Sequence, residues 1–308
     1  CNDKGERLIL RPVYSDKEEA AVVCRYIKRL KQKEDFNYDS YAILYRTNSQ
    51  SRSFEEEMRR QSIPYRIFGG MSFYQRKEIK DILAYFRMVA NPEDEEAIRR
   101  IINYPTRGIG DTTVAKIAAC AQANDVSFWQ IVNSPVKYGL NVTNSTVNKL
   151  RSFAELISSF IEKSASTDAY QLGTAIIQES KINADIFSSN DPEALSRQEN
   201  VEEFLSGLQD FVEGRREEGQ EEYTGLTDFL QEVSLLTDVE SDDDKDGNKV
   251  SLMTIHSAKG LEFPVVFIVG MEENIFPSPM SANNPRELEE ERRLLYVAIT
   301  RAEKYCIL

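Results

Sequence analysis

The period of the hydrophobic pattern changes twice along this chain. In the first hundred residues, short apolar runs alternate with stretches of helical spacing. Residues 7–13 (RLILRPV), 41–45 (YAILY) and 64–68 (PYRIF) read as strands, the last closed by Gly69-Gly70. Helices are predicted over 16–31, 51–61 and 78–89, where Ile79, Ile82, Leu83, Phe86 and Val89 form one apolar stripe. After Gly108-Ile109-Gly110 the strand signals stop. From about residue 112 to 236 helical spacing dominates, as in 146–161 (Val147, Leu150, Phe153, Leu156, Ile157, Phe160) and 201–212 (Phe204, Leu205, Leu208, Phe211). Strand-length runs resume at 251–255 and 265–269, followed by a helix over 285–300 and a last run, KYCIL. Strands alternating with helices imply a parallel sheet covered by helices. The predicted fold is α/β: a parallel-sheet domain in two segments, 1–138 and 248–308, interrupted by an all-α domain over 139–247. The polar run 241–249 (SDDDKDGNK) reads as a solvated linker.

Composition narrows this only a little. The 308 residues suit two domains, and 41% hydrophobic with 29% charged is ordinary for a globular protein. No apolar run approaches the roughly 18 residues of a membrane span. Cys1, Cys24, Cys120 and Cys306 form no C-x-x-C pair and His256 is the one histidine, so no metal site is predicted. Unpaired cysteines point to a reducing, cytoplasmic compartment. A net charge of −13 argues against a nucleic-acid binder until it is located. Residues 213–246 hold thirteen acids against three bases, so ten of those charges sit in one stretch.

The candidate chemistry lies in loops and helix ends. Between the two late strands stand His256, Ser257, Lys259, Gly260 and Glu262, and loops at the carboxyl ends of parallel strands bind ligands. Lys259 and His256 can meet phosphate oxygens, Glu262 can accept from ribose hydroxyls, and Gly260 permits close backbone approach. The same residues also read as a solvated Lys–Glu pair beside a histidine that satisfies a backbone group. In the helix over 285–300, Leu288, Leu295 and Ile299 share a face, while Glu287, Glu289, Glu290 and Glu291 suit the positive end of the macrodipole. Arg292 and Arg293 lie mid-helix, Arg293 four residues after Glu289, and Thr300-Arg301 close the helix. Tyr45-Arg46 ends the second strand, either as an exposed aromatic–cation pair facing a ligand or as a strand-capping tyrosine beside a surface arginine. In RGIGDTT, a Gly-x-Gly turn enters a helix with Asp111 or Thr112 as N-cap. Its amides around Arg107, Gly108 and Gly110 suit a DNA phosphate, or simply start the helix. No Gly-x-x-x-x-Gly-Lys-Ser/Thr phosphate loop occurs, and VVFIVGMEE lacks the terminal Asp of a metal-binding strand.

TIHSAKGLEF and EEERRLLYVAITRA closely resemble the fifth and sixth conserved motifs of the UvrD/Rep/PcrA family of superfamily 1 DNA helicases. The departures are Ile255 at a leucine position and Ala298 where the family usually has glycine. YAILYRTNSQSR resembles the fourth motif, and the segment from Gly69, GGMSFYQRKEIKDILAYFRMVANPED, follows the family nearly residue for residue. The resemblance covers nearly the whole chain and is strongest over 41–115 and 250–308. It implies the second RecA-like domain, of the P-loop NTPase type, interrupted by a helical domain. By the same resemblance Thr254, His256 and Lys259 face single-stranded DNA, with Gly69, Gly70 and Phe73 along its path. Glu262 and Gly260 lie at the nucleotide, Tyr45 stacks on adenine, and Arg46 and Arg301 reach the γ-phosphate as catalytic arginines. The implied substrate is ATP with Mg²⁺, whose ligands are not in this chain. The implied partners are single-stranded DNA, single/double-strand junctions, the N-terminal RecA-like domain of the same polypeptide and repair or replication proteins, with no membrane. The expected function is that of a C-terminal fragment, cut short at its end and inactive alone, of an ATP-dependent 3′–5′ DNA helicase. The alternatives are a subunit of a superfamily 1 helicase–nuclease, or a non-catalytic DNA- or protein-docking module. Intact Arg46, Glu262 and Arg301 speak against the last.

Overall fold

The computed structural model describes residues 6–189, 191–238, 247–278, 281 and 284–308. The chain divides into two compact units, one formed by Cys1–Gln75 with Asp238–Leu308, the other by Arg76–Thr237.

The first unit holds a five-stranded sheet in the order β2-β3-β1-β4-β5, with every neighbouring pair parallel. Its strands are β1 (Tyr41–Tyr45), β2 (Tyr65–Ile67), β3 (Val250–Thr254), β4 (Phe263–Ile268) and β5 (Ala302–Ile307). β1 is the central strand and is buried at every position, as expected of a parallel strand covered on both faces. Tyr41, Ile43 and Tyr45 point to one face, against α1 (Asp16–Glu34) and α2 (Ser51–Arg60); Val23, Cys24, Ile27, Phe54 and Met58 complete that layer. Ala42 and Leu44 point to the other, against the segment 255–262 and α12 (Pro285–Ile299), through Ile255, Ala258, Leu261, Leu295, Ala298 and Ile299. α1 starts at Ser15, whose side chain accepts from the Glu18 amide, with acids in its first turn and Lys31 and Lys33 in its last. The strand expected over 7–13 is reduced to a bridge between Ile9 and Ile307, flanked by backbone bonds from Glu6 and Ile9 to β5 and from Arg11 to Leu308.

The second unit is helical: α3 (Lys77–Ala90), α4 (Glu95–Ile101), α5 (Asp111–Asn124), α6 (Phe128–Asn133), α7 (Asn144–Ser164), α8 (Ala169–Glu179), α9 (Ile182–Ile186), α10 (Pro192–Glu217) and α11 (Leu226–Asp238). Its core includes Phe86, Phe204, Phe211 and Phe229, whose ring centroids lie 5.5–6.3 Å apart. α8 approaches closely because Gly173 has no side chain; a Cβ there would stand 2.7 Å from Leu208 and 3.0 Å from Phe86. The division therefore falls at Gln75/Arg76, not near residue 138. The stripe of α3 predicted a helix correctly, but α3 packs against other helices, α4, α7, α8 and α10. Residues 241–246 of the expected linker lie outside the described residues.

Candidate functional site

Because all five strands run the same way, the sheet has a carboxyl edge and an amino edge, and the candidate residues divide between them. The register pairs Tyr45 with Thr254 and Leu44 with Ile268, so β1, β3 and β4 end together. It pairs Tyr41 with Val265 and Phe263 with Ala302, so the starts of β4 and β5 lie at the opposite edge. At about 3.3 Å per residue the edges are about 20 Å apart. Residues 255–262 run from the carboxyl end of β3 to the amino end of β4. They leave His256 at the first edge and Glu262 at the second, with exposed Lys259 between.

At the carboxyl edge the Arg46 guanidinium forks onto Glu291 of α12. Nη2 donates to Oε1 at 2.9 Å, and Nε to both carboxylate oxygens at 3.2 Å. The carboxylate is 8% exposed and the arginine side chain 24%, and the Ser281 hydroxyl donates to Oε1 at 3.4 Å. A charge-assisted fork of this kind fixes orientation as well as adding energy. Exposed His256 faces the same group. Partial burial of the ring first, and the Arg46 charge second, hold its imidazole below the ordinary range, with Glu291 opposing. Both effects favour the neutral ring. Thr254 Oγ1 accepts from the Ser257 amide at 3.2 Å and lies 2.9 Å from the Ser257 hydroxyl, closing the turn after β3. The Gly69-Gly70 pair sits on this turn: Gly69 has φ +75°, and a Cβ there would meet Ser257 Oγ at 3.3 Å.

At the amino edge, Arg301 follows the end of α12. Its Nε donates to the Val297 carbonyl at 3.1 Å, Nη1 to the Leu261 carbonyl at 3.0 Å, and Nη2 to the Thr300 hydroxyl at 3.1 Å. These bonds engage three of a guanidinium's five N–H groups. Glu262 is exposed beside Leu261, and Gly260, at φ +89°, takes a backbone conformation that side chains rarely adopt, with open space around it. Arg292 and Arg293 pair on the surface with Glu289 and Glu290.

The structure revises four expectations. Tyr45 is wholly buried among α1, α2 and the sheet, so its ring presents no face to a ligand. Arg46 and Arg301 stand at opposite edges, so they do not converge within this unit on one phosphate group. Phe73 is buried, its amide donating to the Glu55 carboxylate at 3.1 Å; the exposed aromatic beside the glycine pair is Phe68, at 43%. Arg107 belongs to the helical unit, where its guanidinium donates to the carbonyls of Ile101, Tyr104 and Pro105 at 2.8–3.2 Å and to the Tyr85 hydroxyl at 2.5 Å. The amides of Arg107 and Ile109 are already held by Asn103 at 3.0 Å, and Gly110, not Asp111 or Thr112, is the N-cap. Gly108 and Gly110 remain exposed.

Glu291 and Phe68 escaped sequence reasoning. A signal for Glu291 was present: it lies three residues after Leu288, four before Leu295 and seven before Ala298, an acid on the apolar face. Phe68 has no comparable signal, because alternation in so short a strand does not tell which side is covered.

The family of UvrD-like helicase C-terminal domains matches residues 1–308. The ATP-dependent DNA helicase PcrA of Staphylococcus aureus is 40% identical over 308 residues, spanning 99% of this chain and 41% of that protein. PcrA of Leuconostoc citreum is 37% identical over 303 residues, spanning 98% of this chain and 40% of that protein. For Staphylococcus epidermidis PcrA the identity is 39% over 306 residues, with 99% and 41% covered. The chain thus spans about two fifths of the length of the curated relatives it matches. A parallel sheet with helices on both faces, a second helical unit and a match along the full sequence agree on one assignment: this chain belongs to the family of UvrD-like helicase C-terminal domains.

Proposed function

We propose that this chain is the second RecA-like half of an ATP-dependent DNA helicase or translocase, moving 3′ to 5′ along single-stranded DNA. The observation that carries the proposal is the sorting of the candidate residues onto opposite edges of one sheet, joined by a single crossover and a single helix. The amino edge serves ATP: Arg301 turns its remaining N–H groups to the terminal phosphate, Glu262 accepts from the ribose hydroxyls, and Gly260 lets the backbone approach. An always-charged, forked guanidinium suits phosphoryl oxygens. The carboxyl edge serves the strand, through His256, Thr254 and the Gly69-Gly70 turn, with Lys259 on the crossover below it and Phe68 as a surface for a base. Arg46 stands with this second group, and we assign it there rather than to the γ-phosphate. In the helical unit the Gly108 to Gly110 turn offers backbone alone to a DNA phosphate. The phosphate loop and the Mg²⁺ ligands come from the N-terminal RecA-like domain of the same polypeptide.

In the full-length protein, Arg301→Ala should lower DNA-stimulated turnover by about 10³–10⁵-fold, as loss of an arginine finger does. Nucleotide affinity should change far less, since the contact matters most when charge reorganises on the phosphate. Wild-type turnover in that variant, with ATP and single-stranded DNA saturating, would remove Arg301 from the reaction.

A further inference from the structure

α12 reaches from one edge of the sheet to the other. Its buried positions are Glu291 and Ala298, and Arg301 lies just beyond its end. Ten residues separate Glu291 from Arg301, about 15 Å along a helix. Glu291 holds Arg46 at the carboxyl edge through contacts of 2.9 and 3.2 Å, and Arg46 in turn lies near enough to His256 to depress its imidazole. Arg301, at the other end, is bonded back onto the helix at Val297 and across to Leu261, next to Glu262. A chain of contacts therefore runs from Arg46 at the end of β1, beside the strand-facing loop, through Glu291 and down α12 to the nucleotide-facing arginine.

We propose that Glu291 is a positioning residue that couples the two edges: it ties the end of β1 to α12, so that a phosphate drawing on Arg46 pulls on the helix that carries Arg301. This role rests on the helicase reading above. A two-point carboxylate suits the task because it is a geometric stand-in for two phosphate oxygens, so Arg46 can exchange one partner for the other without changing its orientation. Coupling of this sort is reciprocal: the strand alters nucleotide binding by the factor with which nucleotide alters strand binding.

The experiment uses the full-length protein and an oligo-dT strand. Turnover is measured without DNA and at saturating DNA, and the strand's Kd with and without a non-hydrolysable ATP analogue. Glu291→Gln should leave DNA-free turnover within about twofold, lower the stimulated rate about tenfold or more, and bring the two Kd values together. Glu291→Asp, which keeps the charge, should retain most of the stimulation. Full stimulation in Glu291→Gln overturns the proposal, as does an equal fall in DNA-free and stimulated rates. A wild-type protein whose turnover ignores DNA would instead refute the helicase reading itself, and this role with it.

Discussion

Removing the Arg46 guanidinium tests whether the carboxyl edge is built around a buried charge pair. Arg46→Ala deletes three N–H···O contacts of 2.9–3.2 Å and leaves the Glu291 carboxylate with the Ser281 hydroxyl at 3.4 Å. Breaking one partner of a buried pair costs about 3–5 kcal/mol, because the remaining charge is uncompensated. The carboxylate is 8% exposed, but the arginine side chain is 24% exposed, which places the expected cost near the lower end, about 3 kcal/mol. Replacing both residues by alanine should cost less than the two single changes combined, with a coupling of about 2 kcal/mol. Urea unfolding of this chain supplies the assay, with two probes. Trp129, the single tryptophan, lies in α6 of the helical unit, whereas far-UV circular dichroism reports both units. The dichroism transition of Arg46→Ala should move to lower urea while the Trp129 fluorescence transition stays in place. A loss below about 1 kcal/mol, the worth of an exposed bridge, would show that the pair is not a buried one and would refute the reasoning. A Trp129 transition that moves equally would show the two units unfolding as one.

In the full-length protein, Lys259→Ala should weaken single-stranded DNA binding and flatten its salt dependence by about 0.7 in slope; His256→Ala should weaken binding with the slope unchanged, because its imidazole is neutral, and an unchanged slope in the lysine variant would return Lys259 to plain surface. Burial pushes the Glu19 carboxyl up to about 6, the Gly270 amide opposing and Glu272 and Asp16 adding. Its favourable contribution is thus complete below about pH 4.5 and lost as pH rises through about 6, so Glu19→Gln should raise stability at pH 7 by at most about 2 kcal/mol and leave it flat across that window. Melts of the variant that keep the wild-type slope between those values would rule Glu19 out as the cause. Replacing residues 76–237 by a Gly-Ser linker should leave a cooperatively unfolding α/β unit, checked by calorimetry; a molten product in repeated preparations would show that the helices share the sheet's core.

Much of the fold is legible in local pattern because burial leaves a mark at every position. YAILY is apolar throughout since a central parallel strand is covered on both faces, and the predicted 41–45 coincides with β1. The helix over 285–300, read from its apolar face and the acids of its first turns, was placed to within a residue. The order and spacing of TIHSAKGLEF and EEERRLLYVAITRA sufficed for the family, since such motifs are long and contiguous. What periodicity does not carry is the identity of the neighbour. The stripe of α3 demands a cover without saying whether sheet or helices supply it, and the tertiary structure chose helices, α4, α7, α8 and α10. The same holds for the site. Arg46 meets a carboxylate 245 residues away, and no local spacing records that distance. Strand register, a matter of backbone hydrogen bonds between remote segments, separated Arg46 from Arg301, and the helices packed on the central strand buried Tyr45. Sequence alone determined which residue types this protein brings to its loops; the pairing of distant strands decided which edge each one serves, because backbone bonds between remote segments set which strand ends lie together.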